Sequence, residues 1–126
     1  MQLAVVGGTG VVGRQVVDAA TRSGHDVVVL ARSRGIDAVT GAGLDEALQG
    51  VDALIDVSNV GTASRRKSEA FFGAATQHLV DAAARAGVGH YVALSIIGID
   101  RVDLGYYAGK RRQEQLLAAG QVPWTV

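Results

Sequence analysis

Residues 5–16, V-V-G-G-T-G-V-V-G-R-Q-V, constrain the fold more than any other stretch of the chain. Gly7, Gly10 and Gly13 lie between an apolar run, Leu3-Ala4-Val5-Val6, and an amphipathic segment from Val11 to Arg22. That segment places Val12, Val16, Val17 and Ala20 on one face and ends at Gly24, a helix with a glycine stop. A strand running through a glycine loop into a helix is a phosphate cradle. Gly7 permits the tight turn, Gly10 lets the backbone approach a pyrophosphate, and Gly13 lets the helix pack close to the strand. The helix N-terminus adds free N–H groups and partial positive charge. Thr9, Val11 and Val12 complete the loop, and the whole set is expected to contact a dinucleotide cofactor.

The rest of the chain repeats the alternation of apolar runs with amphipathic stretches. Val27 to Leu30 reads as a second strand, and Ile36 to Val39 as a short third one reached through Arg34-Gly35. Leu44 to Leu48 reads as a short helix and Ala53 to Val57 as a fourth strand. A long helix is expected from about Ser64 to Ala86, with Phe71, Phe72, Ala75, Leu79, Ala82 and Ala86 at helical spacing. Tyr91 to Ile97 reads as a fifth strand, Tyr106 to Ala119 as a helix closed by Gly120, and Val122 onward as a sixth strand cut short. Pro123 is tolerable only at the start of such a strand or on a sheet edge. Apolar strands alternating with helices imply a parallel sheet covered on both faces. The expected fold class is α/β: a doubly wound Rossmann fold of three α/β/α layers, with its sixth strand truncated and residues 1–126 forming one domain. Hydrophobic residues make up 48% of the chain, enough for a core.

Charge and composition exclude other classes. Twelve basic residues balance twelve acidic ones and aromatics are 5%, so the footprint of a nucleic-acid binder is missing. No apolar run reaches the length of a membrane span, and the first residues lack the basic leader of a signal peptide. With no cysteine there is neither a disulfide framework nor a thiolate metal site, which fits a reducing cytoplasm. His25, His78 and His90 share no ligand spacing, so no metal is expected. Arg65-Arg66-Lys67 and Arg111-Arg112 read as solvated helix surface, and Phe71 and Phe72 as core.

The second strand carries information about the cofactor. An NAD site wants an acid near its end, to hold the ribose hydroxyls. Here the sequence reads Ala31-Arg32-Ser33-Arg34. Arg32 can fork onto a 2′-phosphate and Ser33 can add a hydroxyl, so NADP is favoured over NAD. Further on, Tyr106 precedes Lys110 by one helical turn, and Ser95 lies in the fifth strand. An ammonium beside a phenol favours the phenolate and lowers its pKa, so Tyr106 is a candidate proton carrier during hydride transfer. Ser95 is a candidate to hold the substrate oxygen, and Lys110 to hold the nicotinamide ribose as well. The alternative is that Tyr106 and Tyr107 pack and cap a helix.

Taken together, GGTGVVG, the arginine after the second strand, IDVSN, VALSIIG and YYAGKRRQEQLLAAGQVPWTV resemble atypical short-chain dehydrogenase/reductases of the NmrA-like type, along the whole chain and in order. The resemblance implies an NAD(P)-binding Rossmann fold. It implies cofactor contacts for Gly7, Gly10, Gly13, Arg32, Ser58 and Asn59, and it matches Ser95, Tyr106 and Lys110 to the reductase positions. The activity it implies is hydride transfer to a small carbonyl or activated double bond. The family also includes non-catalytic redox sensors, and nucleotide-sugar epimerase-like chemistry is a further alternative. Three departures stand out. The link between the second and third strands is nearly absent. Gly43-Leu44 stands where an Asp-Leu pair is common near the adenine. Such chains are also expected to continue past the sixth strand into a region that shapes the substrate pocket, so catalysis by these residues alone is not expected. An incomplete sheet edge would suit a homo-oligomer.

Overall fold

The computed structural model describes residues 1–126. Five strands form one parallel sheet: β1 (Gln2–Val6), β2 (Asp26–Leu30), β3 (Ala53–Asp56), β4 (His90–Ala93) and β5 (Trp124–Thr125), in the spatial order β2-β1-β3-β4-β5. Between them run α1 (Val11–Arg22), α2 (Leu44–Ala47), α3 (Arg65–Ala86) and α4 (Gly105–Ala119). β1 lies between β2 and β3 and is buried on both faces. Ala4 and Val6 point into a core shared with Leu44, Leu48, Leu54, Leu79, Tyr91 and Leu117. Leu3 and Val5 alternate to the other face, where α1 packs through Val17 beside Val29. The sheet is therefore doubly wound. The strand order reverses between β1 and β3, and ligands of such sheets bind outside that switch point.

The expected third strand does not form. Ile36 to Val39 contributes no strand; Asp37 only bridges to Ala42 in a tight loop. The physical reason is reach. β2 ends at Leu30 and Arg32–Arg34 form a 3-10 turn stopped by Gly35 at φ +77°. A parallel neighbour needs a crossover of about a dozen residues or more, and none fits there. Instead the Asp37 carboxylate accepts from Val39 N–H, and His78 Nδ1 on α3 meets the Ala38 carbonyl at 2.9 Å. Ile36 and Ala38 so become a flap on the core below α3. The sheet therefore has five strands rather than six, and the C-terminal strand is β5. Removing strand 3 from the order 3-2-1-4-5-6 leaves the order seen here.

The fourth strand in the chain is also shorter than the sequence suggests. β4 stops at Ala93, opposite Asp56, where β3 also stops. Leu94 N–H still bonds the Asp56 carbonyl at 2.9 Å, and then the chain leaves the sheet. Ser95, Ile96 and Ile97 thus become loop at the carboxyl edge rather than strand.

α3 and α4 form the most extensive helix pair. Glycine makes their close approach possible. A Cβ on Gly109 would stand 2.5 Å from the Ser68 carbonyl oxygen and 2.7 Å from Phe72. Ser68 is fully buried, and its hydroxyl donates to the Tyr106 carbonyl at 2.7 Å. Ser64 caps α3, its hydroxyl accepting from Lys67 N–H. Arg111, read from sequence as surface, is half-buried and donates to the carbonyls of Ile99 and Val102. It ties down the loop that leads into Tyr106.

Candidate functional site

A cleft of about 370 Å³ opens at the carboxyl edge of the sheet, lined on one side by Gly7, Gly10, Val11, Val12 and Gly13. The glycine loop is built as its spacing predicts. Gly7 has φ +78°, and a Cβ on it would meet the Ser58 backbone at 2.9 Å. A Cβ on Gly13 would overlap the Gly7 carbonyl and come within 2.6 Å of Gly8 Cα. Gly10 is the N-cap of α1 and offers no side chain to its first turn. The N–H groups of Val11, Val12 and Gly13 consequently have no acceptor, since Gly10 N–H turns to Gly7 and bonding resumes with Arg14 N–H to Gly10. Three unpartnered donors at the positive end of a helix, in a turn too tight for a Cβ at Gly7 or Gly13, fit a pyrophosphate.

The opposite wall brings together Ser58, Asn59, Leu94, Ser95, Ile96, Tyr106 and Lys110. Ser58, Asn59, Ser95, Tyr106 and Lys110 are the residues expected from the sequence, drawn from three separate loops and helices. Ser95 lines the cleft, while its hydroxyl oxygen is itself buried and has no hydrogen-bond partner. The Tyr106 hydroxyl donates to Asn59 Oδ1 at 2.5 Å. Lys110 is only 4% exposed. Its ammonium donates to the Leu94 carbonyl and Gln113 Oε1, and it sits 4.7 Å from the centre of the Phe72 ring.

The expected activation of Tyr106 is not what this geometry produces. Its phenol is pushed above its ordinary pKa by burial, with Tyr107 adding to the effect. The Lys110 ammonium that would lower it faces Leu94 and Gln113 instead. Burial also lowers the Lys110 pKa, opposed by the negative charges of Asp56 and Glu114.

Asp56, Gln113 and Tyr91 were not singled out from the sequence. Asp56 ends β3 at 1% exposure, and Gln113 on α4 is equally buried. Asp56 Oδ1 accepts from Ser58 N–H at 2.9 Å and Ser58 Oγ at 2.6 Å. Its Oδ2 accepts from Tyr91 Oη at 2.6 Å and Gln113 Nε2 at 3.2 Å. A signal was present: an acid inside the apolar run Ala53-Leu54-Ile55-Asp56-Val57 must be paired if buried.

Arg32, Ser33 and Thr9 do not line this cleft. Arg32 and Ser33 are exposed in the turn after β2, whose end, Leu30, pairs with Val6 beside the glycine loop. Thr9 is exposed, and its carbonyl accepts from Arg14 Nε at 2.9 Å. No helix of the chain is long and apolar enough to cross a membrane.

The comparisons with known proteins agree with this geometry. A family model described as NAD(P)H-binding matches residues 7–126. The chain is 34% identical over 136 aligned residues to a (4-alkanoyl-5-oxo-2,5-dihydrofuran-3-yl)methyl phosphate reductase of Streptomyces griseus subsp. griseus, covering 96% of this chain and 44% of that protein. Among solved structures, MoeE5 in complex with UDP-glucose and NAD superposes with TM-score 0.82 at 20% identity, over 100% of this chain and 52% of that one. The NADPH-dependent quinone oxidoreductase QOR2 of Escherichia coli, complexed with NADPH, gives TM-score 0.74 at 24% identity, over 97% and 46%. These two likenesses show the fold, and the chain spans about half the length of the proteins it matches. A parallel sheet with a glycine cradle at its switch point, matched along its length, makes this chain a member of the NAD(P)H-binding family, a reductase-like dinucleotide-binding domain.

Proposed function

We propose that the chain is the NADP(H)-binding domain of a short-chain reductase-like protein that reduces a small carbonyl or activated double bond. The observation that carries this reading is the cleft itself, with three free N–H donors on one wall and Ser95, Tyr106 and Lys110 on the other. Gly7, Gly10, Val11, Val12 and Gly13 would hold the pyrophosphate, and Ser58 and Asn59 would flank the cofactor. A bound nicotinamide supplies the hydride chemistry. Ser95 would hold the substrate oxygen once its unpaired hydroxyl turns into the cleft, and Tyr106 would carry the proton. Lys110 would hold the ribose. The preference for NADP over NAD rests on Arg32 and Ser33, basic and polar where an acid would serve NAD.

A second reading is a non-catalytic binding module that senses the redox state of the cofactor. The observation favouring it is that the Lys110 ammonium bonds Leu94 and Gln113 rather than Tyr106, whose pKa burial raises instead of lowering. Fluorescence titration with NADPH and NADH tests the cofactor. Arg32→Glu is expected to weaken NADPH by roughly 10–100-fold, the worth of a charged hydrogen bond, and to leave NADH within about threefold. An unchanged preference would remove the 2′-phosphate role. Turnover on a carbonyl panel, abolished by Tyr106→Phe, supports the reductase; binding without turnover supports the sensor.

A further inference from the structure

The strongest unexplained feature is the buried polar chain behind the cleft. A carboxylate taken out of water is costly unless its lone pairs are satisfied. Asp56 satisfies them with four donors: the Ser58 N–H and hydroxyl on one oxygen, the Tyr91 phenol and the Gln113 amide on the other. Such an arrangement suits an ionised carboxylate, which only accepts. It also fixes the Gln113 amide one way round. With Nε2 committed to Asp56, Oε1 faces Lys110 Nζ at 2.6 Å. The amide thus stands between a carboxylate and an ammonium with its dipole aligned to both.

We infer that Asp56 is a positioning residue of the cleft, holding the Ser58 wall with one carboxylate oxygen and, through the oriented Gln113 amide, the Lys110 ammonium with the other. The inference rests on the reading of this cleft as the cofactor site. A packing role alone does not need the set: apolar residues in place of Asp56 and its partners together could fill this volume, and such a whole replacement is often neutral. What an apolar residue cannot do is tie a loop of one crossover to a helix of another. Asp56 and Gln113 are 57 residues apart, and Asp56 and Tyr91 are 35.

The test uses Asp56→Asn, Gln113→Met and Ser58→Ala with two readouts. One is NADPH affinity by fluorescence. The other is the titration of the Lys110 side chain, followed by NMR of ε-labelled lysine. Lys110 faces Asp56 from β3 and Glu114 from its own helix, and both favour its charged form. Asp56→Asn keeps the shape but brings a donor against donors, and removes one of those charges. It is expected to weaken NADPH about tenfold and to move the Lys110 midpoint down. Gln113→Met is expected to move the Lys110 midpoint and to weaken NADPH about three- to tenfold, because the ammonium it orients is the one placed on the ribose. Ser58→Ala should weaken NADPH through the other oxygen's wall and leave the Lys110 midpoint in place. A folded Asp56→Asn protein with both readouts unchanged would overturn the inference, as would midpoints insensitive to Gln113→Met. If Asp56→Asn does not fold, the other two variants still decide the matter: Gln113→Met must move the Lys110 midpoint and Ser58→Ala must not. If the unaltered protein binds no NADPH, the cofactor reading fails, and the lysine titration alone then judges the network.

Discussion

At the residue scale, glycines and one tyrosine make the sharpest demands. Gly13 has no room for any other side chain, because its Cβ position is filled by the carbonyl of Gly7. Gly13→Ala is expected to cost about 1–3 kcal/mol or more by overpacking, seen in urea denaturation, and to weaken NADPH by opening the cradle. Tyr91 makes a pH prediction. Burial first, then the charge and hydrogen bond of Asp56, push its phenol well above its ordinary value. A raised acid binds its proton more tightly folded than unfolded. Its contribution is therefore fully present below about pH 10, where the unfolded phenol begins to ionise, and is lost as pH rises through the folded value. Tyr91→Phe is expected to lower stability at pH 8 by about 1–3 kcal/mol, leaving Asp56 one donor short. It should also flatten the alkaline fall in urea midpoints above about pH 10. An equally steep fall in the variant would contradict this assignment.

At the scale of elements, local signals were legible where they lay within one turn of the chain. α1 spans Val11–Arg22, as its apolar face and flanking glycines require, and α3 starts after Ser64 and stops at Gly87 with φ +73°. Ser64→Ala is expected to cost about 1 kcal/mol in urea melts, the worth of an N-cap. The strand expected at Ile36 to Val39 failed because a four-residue apolar run does not report its connection. The five residues 31–35 are too few for a parallel crossover. Likewise, Tyr91 to Ile97 is apolar but for Ser95, yet only a paired neighbour makes a strand, and β3 ends opposite Ala93. The α3–α4 contact depends on Gly109. Alanine there gains helix propensity of about 0.5–1 kcal/mol, but the clash with Ser68 and Phe72 costs about 1–3 kcal/mol or more. Gly109→Ala is therefore expected to destabilise in urea. It should also displace Tyr106, which Ser68 holds through its carbonyl, and so weaken cofactor binding.

At the scale of the whole molecule, the cleft joins the two ends of the fold. Its donors belong to the β1–α1 crossover, and its far wall to the segments after β3 and β4 and to α4. A ligand bridging them stabilises the folded chain by mass action. NADPH at a hundred times its Kd is expected to add about 2.7 kcal/mol and raise Tm on the order of 10 °C for a chain of this size. Differential scanning calorimetry checks this. With Arg32→Glu the same concentration should give a clearly smaller shift.

The sequence by itself determined the layered parallel sheet, the glycine cradle and the class of ligand. Each rests on interactions between residues close in the chain: a glycine that must turn, a helix that must begin there, an apolar strand that must be buried. It also named Ser95, Tyr106 and Lys110, the candidates that now share one wall. Only the tertiary structure decided which groups those residues touch. Tyr106 meets Asn59 across 47 residues, and Asp56 meets Gln113 across 57. Those pairings depend on the register of β3 against β4 and on how closely Gly109 lets α4 approach α3. A hydrogen bond needs its partner placed within a few tenths of an ångström. Spacing along a chain carries no such distance once the path leaves one element and returns in another.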